Sequence, residues 1–325
     1  MEYGEIAGLQ KPVSRIAQGA TVLSMRSDEV LNEGLALLDA FFEMGCNLYD
    51  TSSIYGGGDC DRVLGRWMET RGIRDKVVIL GKCAHHSRDR KRVTPWDITS
   101  DLYDTLARLR SDYVDLWVMH RDDPSQPVGP IVEIMNEHLQ AGRIHAYGGS
   151  NWTHRRIQEA DDYAASHGLV GFAVSSPNFS LAERVRDPWG DSICIGGPQN
   201  RDARAWYQAN QMAVVPWSSL AAGFFSGRYT RRSLEALPPE TDDPTVRWFY
   251  NEANTRRLDR CEELAGDKDC TVAQVALAYL LCGPLNVFPL VGCRTPREMA
   301  ADIAALGVKL TPAEIAYLEL ASDTR

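Results

Sequence analysis

VVILGK (77–82), VDLWVMH (114–120) and IHAYGGS (144–150) are three short apolar runs, each parted from the next by a stretch of helical period. The first interval opens at Thr94-Pro95, a capping threonine followed by a proline at the first helical position. Leu102, Leu106 and Leu109 then recur on one face. The second interval, Val128 to Ala141, is helical, and Gly142 stands at its C-terminal end. Strands that are apolar nearly throughout are covered on both faces, so strand–helix–strand–helix–strand reads as part of a parallel sheet.

The same alternation extends outward through VSRIAQ (13–18), CNLYD (46–50), GFAVSS (171–176), AVVPW (213–217) and NVFPLVG (286–292), which brings the strand-like runs to eight. Leu31, Leu35, Leu38 and Phe42 form a helical stripe ended by Gly45, and Gly168 stops a helix containing Ile157 and Ala160. Thr271-x-x-Gln274 and Thr311-x-x-Glu314 are capping boxes. Eight is the number of strands that closes a barrel. The expected fold is therefore α/β, a (β/α)8 TIM barrel formed by residues 1–325 as one domain. A doubly wound sheet would carry a Gly-rich GxGxxG turn after an early strand, yet the chain reads IAQGATVLS at 16–24. The opening residues, MEYGEIAGLQKPVSRI, hold two strand-like pieces around Gly8, expected as an N-terminal hairpin closing the barrel floor. The 218–285 interval exceeds one crossover and is expected to hold two extra helices between strands 7 and 8, with 238–250 as a loop.

The chain has 325 residues, with 35 Lys+Arg against 44 Asp+Glu, a formal net charge of -9. That balance argues against nucleic acid and against anionic lipid as partners. No apolar run reaches the ~20 residues of a membrane helix, and MEYGEIAGLQ lacks the basic start and apolar core of a secretory signal. The eight scattered cysteines contain no CxxC pair and are expected as reduced thiols of a cytoplasmic protein. No metal site is expected, because His85 and His86 are adjacent rather than at ligand spacing and read as part of a solvated loop.

In a barrel of this kind chemistry sits where strands run out into the following loops. Strand two ends in Asp50, and its loop carries Tyr55 before three glycines. Strand three ends in Lys82, strand four in His120, strand five in Ser150-Asn151 and strand seven in Trp217-Ser218. Taken singly, each has a plainer explanation: a turn acid, a loop aromatic, a hydrogen-bonded histidine. Together, an acid, a phenol, an amine and an imidazole converge on one mouth. Hydride reduction of a carbonyl builds negative charge on oxygen and requires a proton donor. A free phenol titrates near 10 and is a weak acid at neutral pH, but a neighbouring ammonium favours the phenolate. Lys82 is expected to play that part for Tyr55, with Asp50 holding Lys82 charged and neutral His120 orienting the carbonyl. Two other functions stay open: a lyase using Lys82 as a Schiff base, which also fits a barrel with a lysine at a strand end, and, separately, a nucleotide-retaining accessory or sensor subunit with little turnover.

The run NLYDTSSIYGGG, followed by VVILGK, DYVDLWVMHR and GGSNW, resembles the aldo-keto reductases, and the likeness extends from PVSRIAQG to LVGCRTPREMA. The resemblance implies a (β/α)8 barrel and NAD(P)H-dependent reduction of an aldehyde or ketone. It gives Tyr55 the proton donor's place, Lys82 and Asp50 the tuning places and His120 the place that orients substrate. It also implies that Ser150 and Asn151 bind the nicotinamide carboxamide and that Trp217 stacks on its ring. By the same likeness Ser218, Leu220 and Gly223 line the pyrophosphate, and Gly292, Cys293, Arg294 and Thr295 form the turn near the adenosine ribose. Gly19, Ala20 and Asp302 complete the implied cofactor contacts. Two departures stand out. Ser176 occupies the strand-six position where many members have a glutamine, and Glu298 replaces a frequent Arg or Gln. Glu298 would repel a 2′-phosphate and favour NADH, although Thr295-x-x-Glu298 is also a capping box. Arg294 and Arg297 pull toward NADPH, which is favoured.

Rim candidates are Trp96, Trp152, Trp189 and Trp248, of which one or two are expected to face substrate, with Arg121-Asp122-Asp123 beside them. The substrate is expected to be a small hydroxylated carbonyl compound, a sugar or a natural-product ketone. The Gly/Pro-rich segment RDPWGDSICIGGPQN (186–200) is expected as a lid or an oligomer contact, so sequence leaves the oligomeric state open.

Overall fold

The computed structural model describes residues 1–237 and 241–325. Ten strands occur among them: β1 (Tyr3–Gly4), β2 (Val13–Ser14), β3 (Ala17–Gly19), β4 (Leu48–Asp50), β5 (Val78–Cys83), β6 (Val114–Met119), β7 (Ile144–Ser150), β8 (Val174–Ser176), β9 (Ala213–Val214) and β10 (Leu290–Val291). β3 to β10 form one parallel sheet in the order β10-β3-β4-β5-β6-β7-β8-β9. The ring closes where β9 meets the run into β10. Val214 N–H donates to Asn286 O (2.9 Å), and Phe288 N–H donates to Val214 O (2.8 Å). The expected eight-stranded barrel is present.

Strand alternation explains both layers. Leu48, Val78, Leu80, Leu116, Val118, Ala146 and Val174 form an interior cluster closed below by Ile6, Val13 and Phe288. The residues between them, such as Tyr49, Ile79, Trp117 and Tyr147, face outward into the larger core beneath the helices. One further step of two places Asp50, Lys82 and His120 on the inner face at the C-terminal end, and two such steps beyond Ala146, by way of Gly148, place Ser150 there. The interior period of each strand thus positions the site.

The floor hairpin is β1 paired antiparallel with β2. The 13–18 run is therefore not one strand. Ser14 turns away from it, its N–H bonding Asn47 Oδ1 (2.7 Å) and its hydroxyl bonding Ile16 O (2.9 Å), and the barrel strand begins only at Ala17.

The helices are α1 (Asp28–Glu43), α2 (Asp59–Arg71), α3 (Pro95–Leu109), α4 (Gly129–Gln140), α5 (His154–Ser166), α6 (Arg201–Asn210), α7 (Arg231–Glu235), α8 (Pro244–Phe249), α9 (Glu252–Asp267), α10 (Val272–Leu281), α11 (Pro296–Ala304) and α12 (Pro312–Leu318). Their starts follow their caps. Thr94 caps α3 with Pro95 at its first turn, and Thr271 and Thr311 form the expected capping boxes of α10 and α12. In α1 the fully buried aromatic is Phe41; Phe42 is half-buried against Trp67. The expected extra helices of the β9–β10 interval are present: it holds α7 to α10, three beyond the one that a crossover requires where two were expected. The expected loop at 238–250 is also corrected. Asp243 caps Thr245 N–H, and Pro244 starts a short helix to Phe249; residues 238–240 lie outside the described residues. All eight cysteines are free thiols, and no helix among the described residues is long and apolar enough to cross a membrane.

Candidate active site

A cleft of ≈ 1280 Å³ opens at the C-terminal end of the barrel and is lined by Asp50, Tyr55, Lys82, His120, Ser150, Asn151 and Trp217, among others. Tyr55 reaches it from the turn after β4. There Gly56, Gly57 and Gly58 all hold positive φ, a conformation that glycine adopts without steric cost, before α2 begins at Asp59.

Lys82 is the hub. Its ammonium donates to Asp50 Oδ1, to Thr51 O (3.0 Å) and to the Tyr55 hydroxyl (3.2 Å), which uses all three of its protons. Burial disfavours the charge of Lys82, but Asp50 and the Tyr55 oxygen more than offset this, and its pKa lies above the ordinary lysine value. A charged, fully hydrogen-bonded ammonium is the reverse of what Schiff-base attack requires. Burial pushes the Asp50 carboxyl upward, with Lys82 opposing. For Tyr55, burial is again the largest influence and raises the pKa; Lys82 lowers it, as expected, but does not prevail.

His120 is 8% exposed and crosses Tyr55 edge-on, with ring centroids 5.7 Å apart. Burial, then Lys82, holds its pKa well below the ordinary histidine value, so the ring is neutral at pH 7. Its Nδ1 lies 3.0 Å from the hydroxyl of Ser52, a buried residue absent from the sequence-based set. The Ser52 hydroxyl also lies 3.5 Å from Lys82 O. With Ser52 donating to Nδ1, the neutral imidazole carries its proton on Nε2. Strand alternation offered a signal for Ser52, two residues beyond Asp50.

The implied cofactor residues divide. Gly19, Ser150, Asn151, Trp217, Ser218, Leu220, Gly223, Gly292, Cys293, Glu298 and Asp302 line the cleft, whereas Ala20, Ser176, Arg294 and Thr295 do not. Ala20 packs into the outer core. Ser176 is buried beneath the preceding strand end, where its carbonyl accepts the Ser150 hydroxyl (2.8 Å) and its own hydroxyl has no partner among the described residues. Thr295 caps α11, and the Arg294 side chain is exposed outside the cleft. The loop after Trp217 fits an anion: Ser218, Ala221, Ala222 and Gly223 all hold positive φ, the kind of backbone that gathers N–H groups into a concavity. Beyond it, burial raises the Asp302 carboxyl to about 6.

Trp189 and Trp248 line the cleft, with the Trp189 ring 5.1 Å from Trp217 and 6.0 Å from Trp248. Trp96 is exposed away from the cleft, and Trp152 is buried in the core. Asp122 and Asp123 turn away to Arg156 and Lys91. His85 and His86 do not lie in a solvated loop; both line the cleft, and His85 crosses His120 at 4.8 Å. Asp191, on the 186–200 segment, reaches Arg121 and His86, each at 3.3 Å. No local pattern announces it, because both partners lie far away in the chain.

Among curated proteins the chain is 28% identical over 305 residues to norsolorinic acid reductase of Emericella nidulans, covering 90% of this chain and 72% of that protein. It is 27% identical to versiconal hemiacetal acetate reductase of Aspergillus parasiticus, covering 98% and 96%. In fold it resembles the glycerol dehydrogenase of Gluconobacter oxydans, with a TM-score of 0.78 at 22% identity over 98% of this chain and 94% of that one. The profile of the Aldo/keto reductase family matches residues 24–323. With eight parallel strands and that match over nearly its whole length, the chain belongs to the aldo/keto reductase family.

Proposed function

We propose that this protein is an NAD(P)H-dependent carbonyl reductase in which Tyr55 is the general acid. The observation that carries the reading is the Tyr55 hydroxyl held 3.2 Å from the charged Lys82 inside the cleft. Trp217, Ser150 and Asn151 would hold the nicotinamide, and the loop from Ser218 to Gly223 the pyrophosphate. A bound reduced nicotinamide supplies a hydride to the carbonyl carbon. His120 donates from Nε2 to the carbonyl oxygen and orients it. As the carbon–oxygen π pair moves onto oxygen, Tyr55 passes its proton there, and the alcohol is complete. Lys82 then carries the charge that balances the tyrosinate until solvent reprotonates it, and Asp50 keeps Lys82 charged and in place. The substrate is a small aldehyde or ketone, a hydroxylated or sugar-like one on the strength of the Trp189 and Trp248 lining.

The test is cofactor oxidation at 340 nm across a panel of carbonyls from pH 5 to 10. Tyr55 stays protonated through neutrality, and His120 stays neutral until well below 6.5. The reduction rate is therefore expected to be flat between about pH 6 and 8 and to fall only in alkali, as the phenol ionises. A clear break near 6.5 would move the proton transfer to His120.

We propose NADPH over NADH on the charges of Arg294 and Arg297, which are exposed just outside the cleft, next in the chain to its lining residues Cys293 and Glu298. Glu298 and Asp302 line the same end of the cleft and oppose a 2′-phosphate, so the preference is expected to stay within about tenfold. Fluorescence titration of each cofactor checks this, with Glu298→Gln expected to widen the gap toward NADPH. NADH binding tighter than NADPH would reverse the assignment.

A further inference from the structure

Buried arginines in this protein are spent on fixed partners. Arg260 donates to Tyr317 O (2.5 Å) and Ser322 O (2.7 Å), and Arg257 donates to Asn254 (3.0 Å) and to Glu183. Arg121 is different. It directly follows His120 and lines the cleft, and its side chain is only 6% exposed. Its guanidinium donates no hydrogen bond to any described residue. Its ionic contact is through Nε, 3.3 Å from Asp191, a half-exposed carboxylate shared with His86, and its Cζ lies over the Trp189 ring, 5.3 Å from the centroid. It lines the same cleft as Tyr55 and His120, so the group stands beside where a carbonyl would react.

A guanidinium that lines a cleft and has no protein acceptor on its terminal N–H groups is free to take one from a ligand. The planar fork suits two oxygens of one carboxylate. We infer that Arg121 determines substrate specificity, and that the preferred substrates are carbonyl compounds bearing a carboxylate a few atoms from the reacting carbon, gripped by the free edge of the fork. This rests on the carbonyl reductase reading. Asp191 competes for the same charge, and its exposed position on the 186–200 segment lets it give way.

The experiment compares kcat/KM for 3-carboxybenzaldehyde and for its methyl ester within each enzyme, so that intrinsic reactivity cancels between enzymes. The acid-to-ester ratio is expected to fall about tenfold or more in Arg121→Leu, mainly through KM. It is expected to rise severalfold in Asp191→Asn, a change that leaves Arg121 in place and keeps the test available if Arg121→Leu folds poorly. Benzoate binding to the cofactor-loaded protein, followed by tryptophan fluorescence, should weaken in Arg121→Leu and tighten in Asp191→Asn. An unchanged ratio in Arg121→Leu, or a lower one in Asp191→Asn, overturns the inference. If neither aldehyde consumes cofactor, the reductase reading fails, while the benzoate titration still decides what the guanidinium binds.

Discussion

Tyr55→Phe is expected to lower kcat by about 10²- to 10⁴-fold, the usual worth of a positioned general acid, while the cofactor dissociation constant changes by less than about twofold. The substitution keeps the ring, and with it the edge-on packing against His120 at 5.7 Å. It removes only the oxygen that sits 3.2 Å from Lys82. Nothing the phenol does in the ground state explains a loss of that size. Steady-state kinetics beside a fluorescence titration of cofactor checks both halves. A loss below tenfold would give the proton to another group, with His120 the nearest alternative.

Lys82→Met has the second large effect, and it acts on two quantities at once. Catalysis is expected to fall by roughly 10²- to 10³-fold, because the tyrosinate formed on proton transfer loses its balancing charge. Stability is expected to fall by about 3–5 kcal/mol, because Asp50 is left buried and ionised without its partner. Asp50 is 3% exposed, and burial already pushes its pKa upward against the pull of Lys82. Without that pull the folded-state pKa rises further above the unfolded value. A raised carboxyl pKa contributes stability at low pH that is lost as pH rises. The deficit of Lys82→Met relative to the parent is thus expected to be greatest near neutrality and to shrink on acidification, as Asp50 takes up a proton. Urea unfolding at several pH values reads this directly. A deficit independent of pH would mean that Asp50 is not the group left stranded.

The barrel was legible because its interior obeys one period. Leu48 to Asp50, Leu80 to Lys82 and Val118 to His120 are each a step of two, so the apolar residues that fill the barrel announce which polar residue will stand at its mouth. Strand ends were harder. Pairing of Ser14 with Asn47 divided a run that composition alone reads as continuous. The Asp243-Pro244 cap was visible in the sequence, but its Pro- and aromatic-rich surroundings resembled a loop. Side chains set by distant partners left no local trace. Asp191 meets Arg121 and His86 only because the 186–200 segment folds back over the mouth. Ser176, carried over by position, lies beneath the strand-five end and out of the cleft. The sign of Lys82's influence on Tyr55 followed from charge, whereas its defeat by burial depended on how deeply the pair is enclosed.

Cofactor carrying deuterium at the transferable C4 position, turned over with a simple aldehyde and followed by mass spectrometry of the product, tests the central claim most directly. The account predicts an alcohol with one deuterium on the former carbonyl carbon and a hydroxyl proton exchangeable with water, formed at a rate that collapses in Tyr55→Phe. An alcohol without deuterium at that carbon, or label transfer at an undiminished rate in Tyr55→Phe, would contradict it.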